Sequence, residues 1–155
     1  GYDPRLAENV EYHEELVALA KRRGVPESSI LFLRSISDDE KRVLLQRAAV
    51  VVYTPTGEHF GIVPVEAMAH GRPVLAVASG GPLESITTSG EVGLLRDADA
   101  AAFADALNTL VVADGAEARR AAMGAAAKAR CAKLFSLPAF AVNLERMVRA
   151  AVDNA

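Results

Sequence analysis

The sequence predicts an α/β fold: a mostly parallel sheet of about four strands, helices on both faces, and a helical C-terminus. Three observations carry this. Short apolar runs at residues 30–33, 50–53, 74–77 and 93–95 alternate with helical patterns. Glycine and proline punctuate the changeovers. From Ala98 onward the pattern is helical and alanine-rich. Strands separated by helices pair in parallel, because a parallel neighbour requires a crossover.

Residues 7–23 read as an amphipathic helix in which Val10, Leu16, Val17, Leu19 and Ala20 share a face. Gly24 and Pro26 stop it. The run 30–33 is a first strand. Ser37 then caps a helix over 38–48, and Glu40, three residues on, completes a capping box. Val43, Leu44 and Leu45 point inward. Residues 50–53 form the next strand, unbroken by polar residues as expected where both faces are covered. A helix follows over 62–70, with Pro64 in its first turn, where a missing N–H costs nothing. Gly71 suits a left-handed cap, and Pro73 prevents continuation. After the strand 74–77, Gly80-Gly81-Pro82 makes a tight turn into a short helix through Ile86. Residues 93–95 are a brief fourth strand. Helices over 99–112, 116–134 and 138–152 complete the chain, with a break at Phe135-Ser136.

A chain of 155 residues is long enough to bury a core without staples. Tryptophan is absent and aromatics make up 5%, so aliphatic side chains must fill that core. A net charge of -3 argues against a general nucleic-acid binder. Cys131 is the single cysteine, which excludes an intrachain disulfide and suits a small core residue in a reducing compartment. No apolar run is long enough to span a bilayer, and no secretory signal pattern opens the chain.

The chemistry concentrates in EHFGIVPVE, residues 58–66. A strand runs into it, and ligands of such sheets bind at the carboxyl ends of strands. If a helix begins near Ile62, its first amides lack internal partners and carry the positive end of the helix dipole. Gly61 lets a ligand approach the backbone without meeting a Cβ. These features suit a diphosphate. Glu66 lies one turn on, about 6 Å along the axis, and an ionised carboxylate accepts from both hydroxyls of a ribose. Glu58 is placed by the loop to meet hydroxyls of a sugar or charge developing at its anomeric carbon. His59 and Phe60 shape the same pocket. Gly80 and Gly81 offer a second stretch of approachable backbone, with Glu84 facing the same cleft. A plainer role also fits: acids are favoured in first turns, and glycines serve as caps and turns.

Other constellations fail. His13-Glu14 starts like a zinc helix, but position 17 is valine, which leaves His13 as an exposed helix residue. His70 lies near a helix end, where a cation is mildly favoured. No cluster has metal-ligand spacing. Neither a G-x-x-x-x-G-K-[ST] loop nor a G-x-G-x-x-G turn is present. Ser79 lacks the preceding glycine of a hydrolase elbow.

EHFGIVPVEAMAHGRPVLAV followed by SGGPLESI resembles the donor-binding domain of retaining glycosyltransferases of GT-B architecture, glycosyltransferase family 4. The two acids eight residues apart, the FG after the first, EAMA-x-G-x-P-V and GGP-x-E all match in order. The segments GYDPRLAENVEYHEEL, FLRSISDDEKRVLL and YTPTGEHFGIVPVEAM extend the likeness toward the family's eukaryotic mannosyltransferases of dolichol-linked oligosaccharide assembly. The resemblance implies a Rossmann-like three-layer sandwich, residues 1–155 being one partial donor-binding C-terminal domain. It implies GDP-mannose as donor, a lipid-linked oligosaccharide as acceptor bound by an N-terminal domain, no metal or other cofactor, and the cytosolic face of the endoplasmic reticulum for the full-length protein. It places Glu66 on the ribose, Glu58 beside the donor sugar as a catalytic candidate, Phe60, Gly61, Ile62 and Val63 on diphosphate and sugar, and the loop from Arg34 to Ser37 against the base. UDP- or ADP-sugars, and a non-catalytic nucleotide-binding module, remain open alternatives. The family's first two strands of this domain and a basic pair have no match here. A four-stranded sheet is therefore expected to leave an exposed surface that a second copy of the chain covers. Light scattering is expected to show association, and a monomer at high concentration would count against it.

Overall fold

The computed structural model describes residues 2–153; residue 1 and residues 154–155 of the predicted domain lie outside the described residues. The chain divides into two compact units, residues 1–42 and 43–155.

In the first unit, helix α1, Ala7–Arg22, is followed by a single 3₁₀ turn, Glu27–Ser29, and an extended run. No α1 residue is buried, and Val17 and Leu19 stay well exposed. The ring of His13 lies edge-on to those of Tyr2 and Phe32, 5.5 and 5.7 Å away. Its Nε2 is buried without a hydrogen-bond partner among the described residues, so His13 is not the exposed helix residue expected from sequence. The predicted first strand is also corrected. Residues 30–33 belong to no ladder, and Leu31 is 77% exposed. An extended run becomes a strand only when a neighbour takes its backbone hydrogen bonds.

Helix α2, Asp38–Arg47, starts with the predicted capping box. The Glu40 carboxylate accepts from the Ser37 amide (2.8 Å) and hydroxyl (2.7 Å), while the Glu40 amide donates to Ser37 Oγ at 3.3 Å. The two hydrogen bonds from Ser37 hold the Glu40 carboxyl below its ordinary range. Of the three side chains expected inward, only Leu45 packs against the core; Val43 and Leu44 are nearly half exposed.

The second unit carries a parallel three-stranded sheet in the order β1-β2-β3 rather than the four strands expected. Its strands are β1, Val51–Tyr53, β2, Val74–Val77, and β3, Gly93–Arg96. Val51 pairs with Val74 and Tyr53 with Ala76; Val74 pairs with Gly93 and Val77 with Arg96. Every residue of the central β2 is buried, as its all-apolar sequence requires. β1 lies at an edge, and Val52 is 43% exposed, so covering on both faces holds for β2 but not for β1.

Helix α3, Ile62–Ala69, joins β1 to β2 and buries Pro64, Ala67 and Met68. Gly71 closes it at φ +67°, the left-handed cap its sequence predicts. A single turn, α4, Pro82–Ser85, follows β2. Helix α5, Ala100–Leu107, is capped by Asp99 Oδ1, which accepts from the Ala102 amide at 2.9 Å. The helix predicted to run on to 112 widens instead into a π turn, Asn108–Val112. Helix α6, Ala116–Leu134, contributes Ala127 and Cys131 to a core with Met68, Val74, Ala76, Ile86 and Val92. Burial pushes the Cys131 thiol up from its ordinary value, consistent with a structural residue. Helix α7, Leu137–Asp153, has no buried residue, and Phe140, Val142 and Met147 lie on its open surface. No described helix is long and apolar enough to cross a membrane.

Candidate nucleotide-sugar site

β1 and β2 are parallel neighbours, so the loops that follow them leave the same end of the sheet. The loop after β1 carries Glu58, His59 and Phe60; the loop after β2 carries Gly80 and Gly81. These loops meet backbone to backbone. The Gly81 amide donates to the Glu58 carbonyl at 2.8 Å, and the Gly57 amide donates to Ser79 Oγ at 3.2 Å. A Cβ on Gly80 would overlap the Glu58 carbonyl, and one on Gly81 would overlap that of Phe60. The two glycines thus bring the loops closer than side chains permit.

The segment before α3 is not helical, and the helix starts at Ile62 as the sequence predicts. Gly61 sits at φ +70° and supplies no side-chain cap. Pro64 has no N–H, so the Ile62 and Val63 amides are the donors of the opening turn. Ile62 is 65% exposed, so this helix end is open to solvent. A Cβ on Gly61 would stand 3.1 Å from Tyr53 Oη, closer than an ordinary contact. Tyr53 ends β1, and its phenol lies near the Glu58 carboxylate. Burial, then the neighbouring Glu58 carboxylate, push the Tyr53 phenol above its ordinary value.

Glu66 is half-buried one turn into α3, and its carbonyl meets His70 Nδ1 at 2.8 Å. His70 is thereby tied to the C-terminal turn of α3. Phe60 rests edge-on against Phe135, 5.9 Å between centroids, which links the loop to the end of α6. Glu84 is exposed in α4. Arg130 from α6 holds that turn: its Nε donates to the Ser85 carbonyl and its Nη2 to the Glu84 carbonyl, each at 2.9 Å. Arg34 and Ser37 belong to the first unit, where the Arg34 guanidinium lies 5.4 Å from the centre of the Tyr2 ring and Ser37 is engaged in the α2 capping box.

The structure therefore gathers Glu58, Phe60, Gly61, Gly80 and Gly81 at one sheet end. Sequence reasoning missed four supporting residues there: Tyr53, Ser79, Arg130 and Phe135. Position at the end of an apolar strand was a usable signal for Tyr53. Arg130 and Phe135 act across long sequence separations, and nothing local announces them.

Residues 5–130 match the family described as Glycosyl transferases group 1. The mouse (Mus musculus) alpha-1,3/1,6-mannosyltransferase ALG2 is 43% identical over 148 residues, which cover 96% of this chain and 34% of that protein. The chain thus spans about a third of the length of that relative. Among solved structures, sucrose-phosphate synthase from Thermosynechococcus elongatus superposes with a TM-score of 0.81 at 28% identity, over 100% of this chain and 38% of that one. Anabaena Alr3699/HepE, solved in complex with UDP, gives a TM-score of 0.77 at 26% identity, over 97% of this chain and 39% of that one. Sequence likeness across most of the chain and the shared GT-B-like fold agree: the chain belongs to the glycosyl transferases group 1 family.

Proposed function

We propose that this chain is the donor-binding part of a retaining mannosyltransferase that transfers mannose from GDP-mannose to a dolichol-linked oligosaccharide. One observation carries the reading. The uncapped start of α3 lies at the sheet's carboxyl end between one acid, Glu58, in the loop after β1, and a second acid one turn later, Glu66. The Ile62 and Val63 amides take the diphosphate, Glu66 takes the ribose diol, and Glu58 faces the donor sugar. Gly80, Gly81, His59 and Glu84 border the same cleft in this reading. No metal or cofactor takes part in this reading. The name of the mouse relative supports mannose as the sugar. Because the chain spans 34% of that relative, the acceptor and the complete active site belong to the longer protein, and the chain alone is inactive. That protein works at the cytosolic face of the endoplasmic reticulum, in N-glycosylation.

A second reading keeps the site and changes the nucleotide. The complex of Anabaena HepE with UDP favours a uridine nucleotide. Calorimetric titration of the full-length protein with GDP, UDP and ADP separates the two. GDP is expected to bind most tightly, and Glu66→Ala is expected to weaken it by about 1–3 kcal/mol, the loss of a charged hydrogen-bonding partner. Unchanged affinity in that variant removes Glu66 from the site, and a preference for UDP establishes the second reading.

A further inference from the structure

A cavity of about 420 Å3 opens at the other end of the sheet, where β1 and β2 begin. Arg47, Arg72 and Arg120 line it with a single acid, Glu117. Three cations against one carboxylate leave two positive charges uncompensated, in a chain whose net charge is -3. None of the three arginines takes part in an ion pair among the described residues. Two of them are positioned by the backbone. Arg72 Nη1 donates to the Ala48 carbonyl at 3.2 Å, and Arg120 Nη1 donates to the Leu110 carbonyl at 2.6 Å. Each guanidinium has five N–H donors and cannot shed its charge, so most of that capacity stays unspent. Arg72 Nε makes the point sharply: it is buried, and no acceptor among the described residues meets it. A buried charged donor left without an acceptor is costly, and such sites call for an oxygen from outside the chain.

Further features define that oxygen's source. Glu117, Arg120 and Ala121, from the first two turns of α6, form one wall of the cavity. The cavity volume lies within the roughly 300–1,000 Å3 range of small-molecule sites. A phosphate monoester carries about -1.5 to -2 at neutral pH, which matches the surplus of two charges better than a carboxylate does. Its oxygens also suit the paired donors of a guanidinium.

We propose that this cavity binds a small phosphorylated ligand at a site separate from the nucleotide-sugar cleft, at the opposite end of the sheet. The test is an NMR titration of the ¹⁵N-labelled chain with inorganic phosphate, with acetate at equal ionic strength as control. Saturable shifts are expected at the Ala49, Gly71, Glu117 and Ala121 amides, with acetate producing none of them. Arg120→Gln is expected to weaken phosphate at least ten-fold. Arg47→Gln, at an exposed position where folding is not at risk, is expected to weaken it several-fold. Shifts confined to the Gly61, Ile62 and Val63 amides would assign the anion to the donor cleft and overturn the proposal. So would shifts that never saturate, that acetate reproduces, or that Arg47→Gln leaves unchanged.

Discussion

Gly81→Ala is expected to destabilise the chain by at least about 3 kcal/mol, at the upper end of overpacking costs. The new Cβ would fall inside the Phe60 backbone, against its carbonyl oxygen, its carbonyl carbon and its Cα. No rotamer change relieves a clash with main chain. The backbone of Gly81 itself is ordinary, at φ -55° and ψ -35°, so alanine meets no conformational penalty there and steric overlap alone decides the outcome. Relief requires moving the loop after β1 away from the loop after β2, which breaks the hydrogen bond from the Gly81 amide to the Glu58 carbonyl. The same movement displaces Glu58, so nucleotide affinity should fall together with stability. Urea denaturation measures the first effect as a lower midpoint at unchanged slope. A wild-type midpoint would show that the two loops are not locked together.

Gly124→Ala is the second large effect, and two opposed terms decide its sign. Alanine in a helix interior is favoured over glycine by about 1 kcal/mol. At this position, however, α6 crosses the end of α3, and a Cβ would overlap the Gly71 carbonyl oxygen and stand 3.1 Å from its carbon. Met123, Ala127 and Cys131 on the same helix are buried, which limits how far α6 can retreat. Overpacking against backbone at about 3–4 kcal/mol outweighs the propensity gain, for a net loss of about 2–3 kcal/mol. Thermal unfolding should show a midpoint lower by roughly 5–10 °C for a chain of this size. A raised midpoint would mean that propensity wins and the crossing is looser than it appears.

Much of the fold was legible because its signals are local. The all-apolar run at 74–77 predicts a covered strand, and β2 is buried throughout. Ser37 and Glu40 predict a capping box, and both halves of it form. Gly71 predicts a left-handed cap and adopts one. The run 30–33 has the same composition as a strand but forms no ladder, since a strand is defined by a neighbour that composition does not supply. Val43 and Leu44 share the apolar character of Leu45, yet only Leu45 packs against the core. Periodicity finds an apolar face, but what covers it depends on the rest of the structure.

The candidate site divides along the same line. Glu58, Gly61 and Glu66 are spaced by a few residues of one loop and one helix, so their order along the chain already places them near a helix start. The contact of that loop with Gly80 and Gly81, the close approach of Gly61 to Tyr53, and the grip of Arg130 on the turn after β2 arise only in the folded chain. The arginine cavity is the extreme case. Its three cations come from residues 47, 72 and 120, each unremarkable in its own segment. Amino-acid order by itself determined the elements and their caps, because turn chemistry and burial periodicity act over a few residues. Tertiary structure alone decided which backbones touch and where charge gathers, because close packing and Coulomb forces depend on distance through space rather than along the chain.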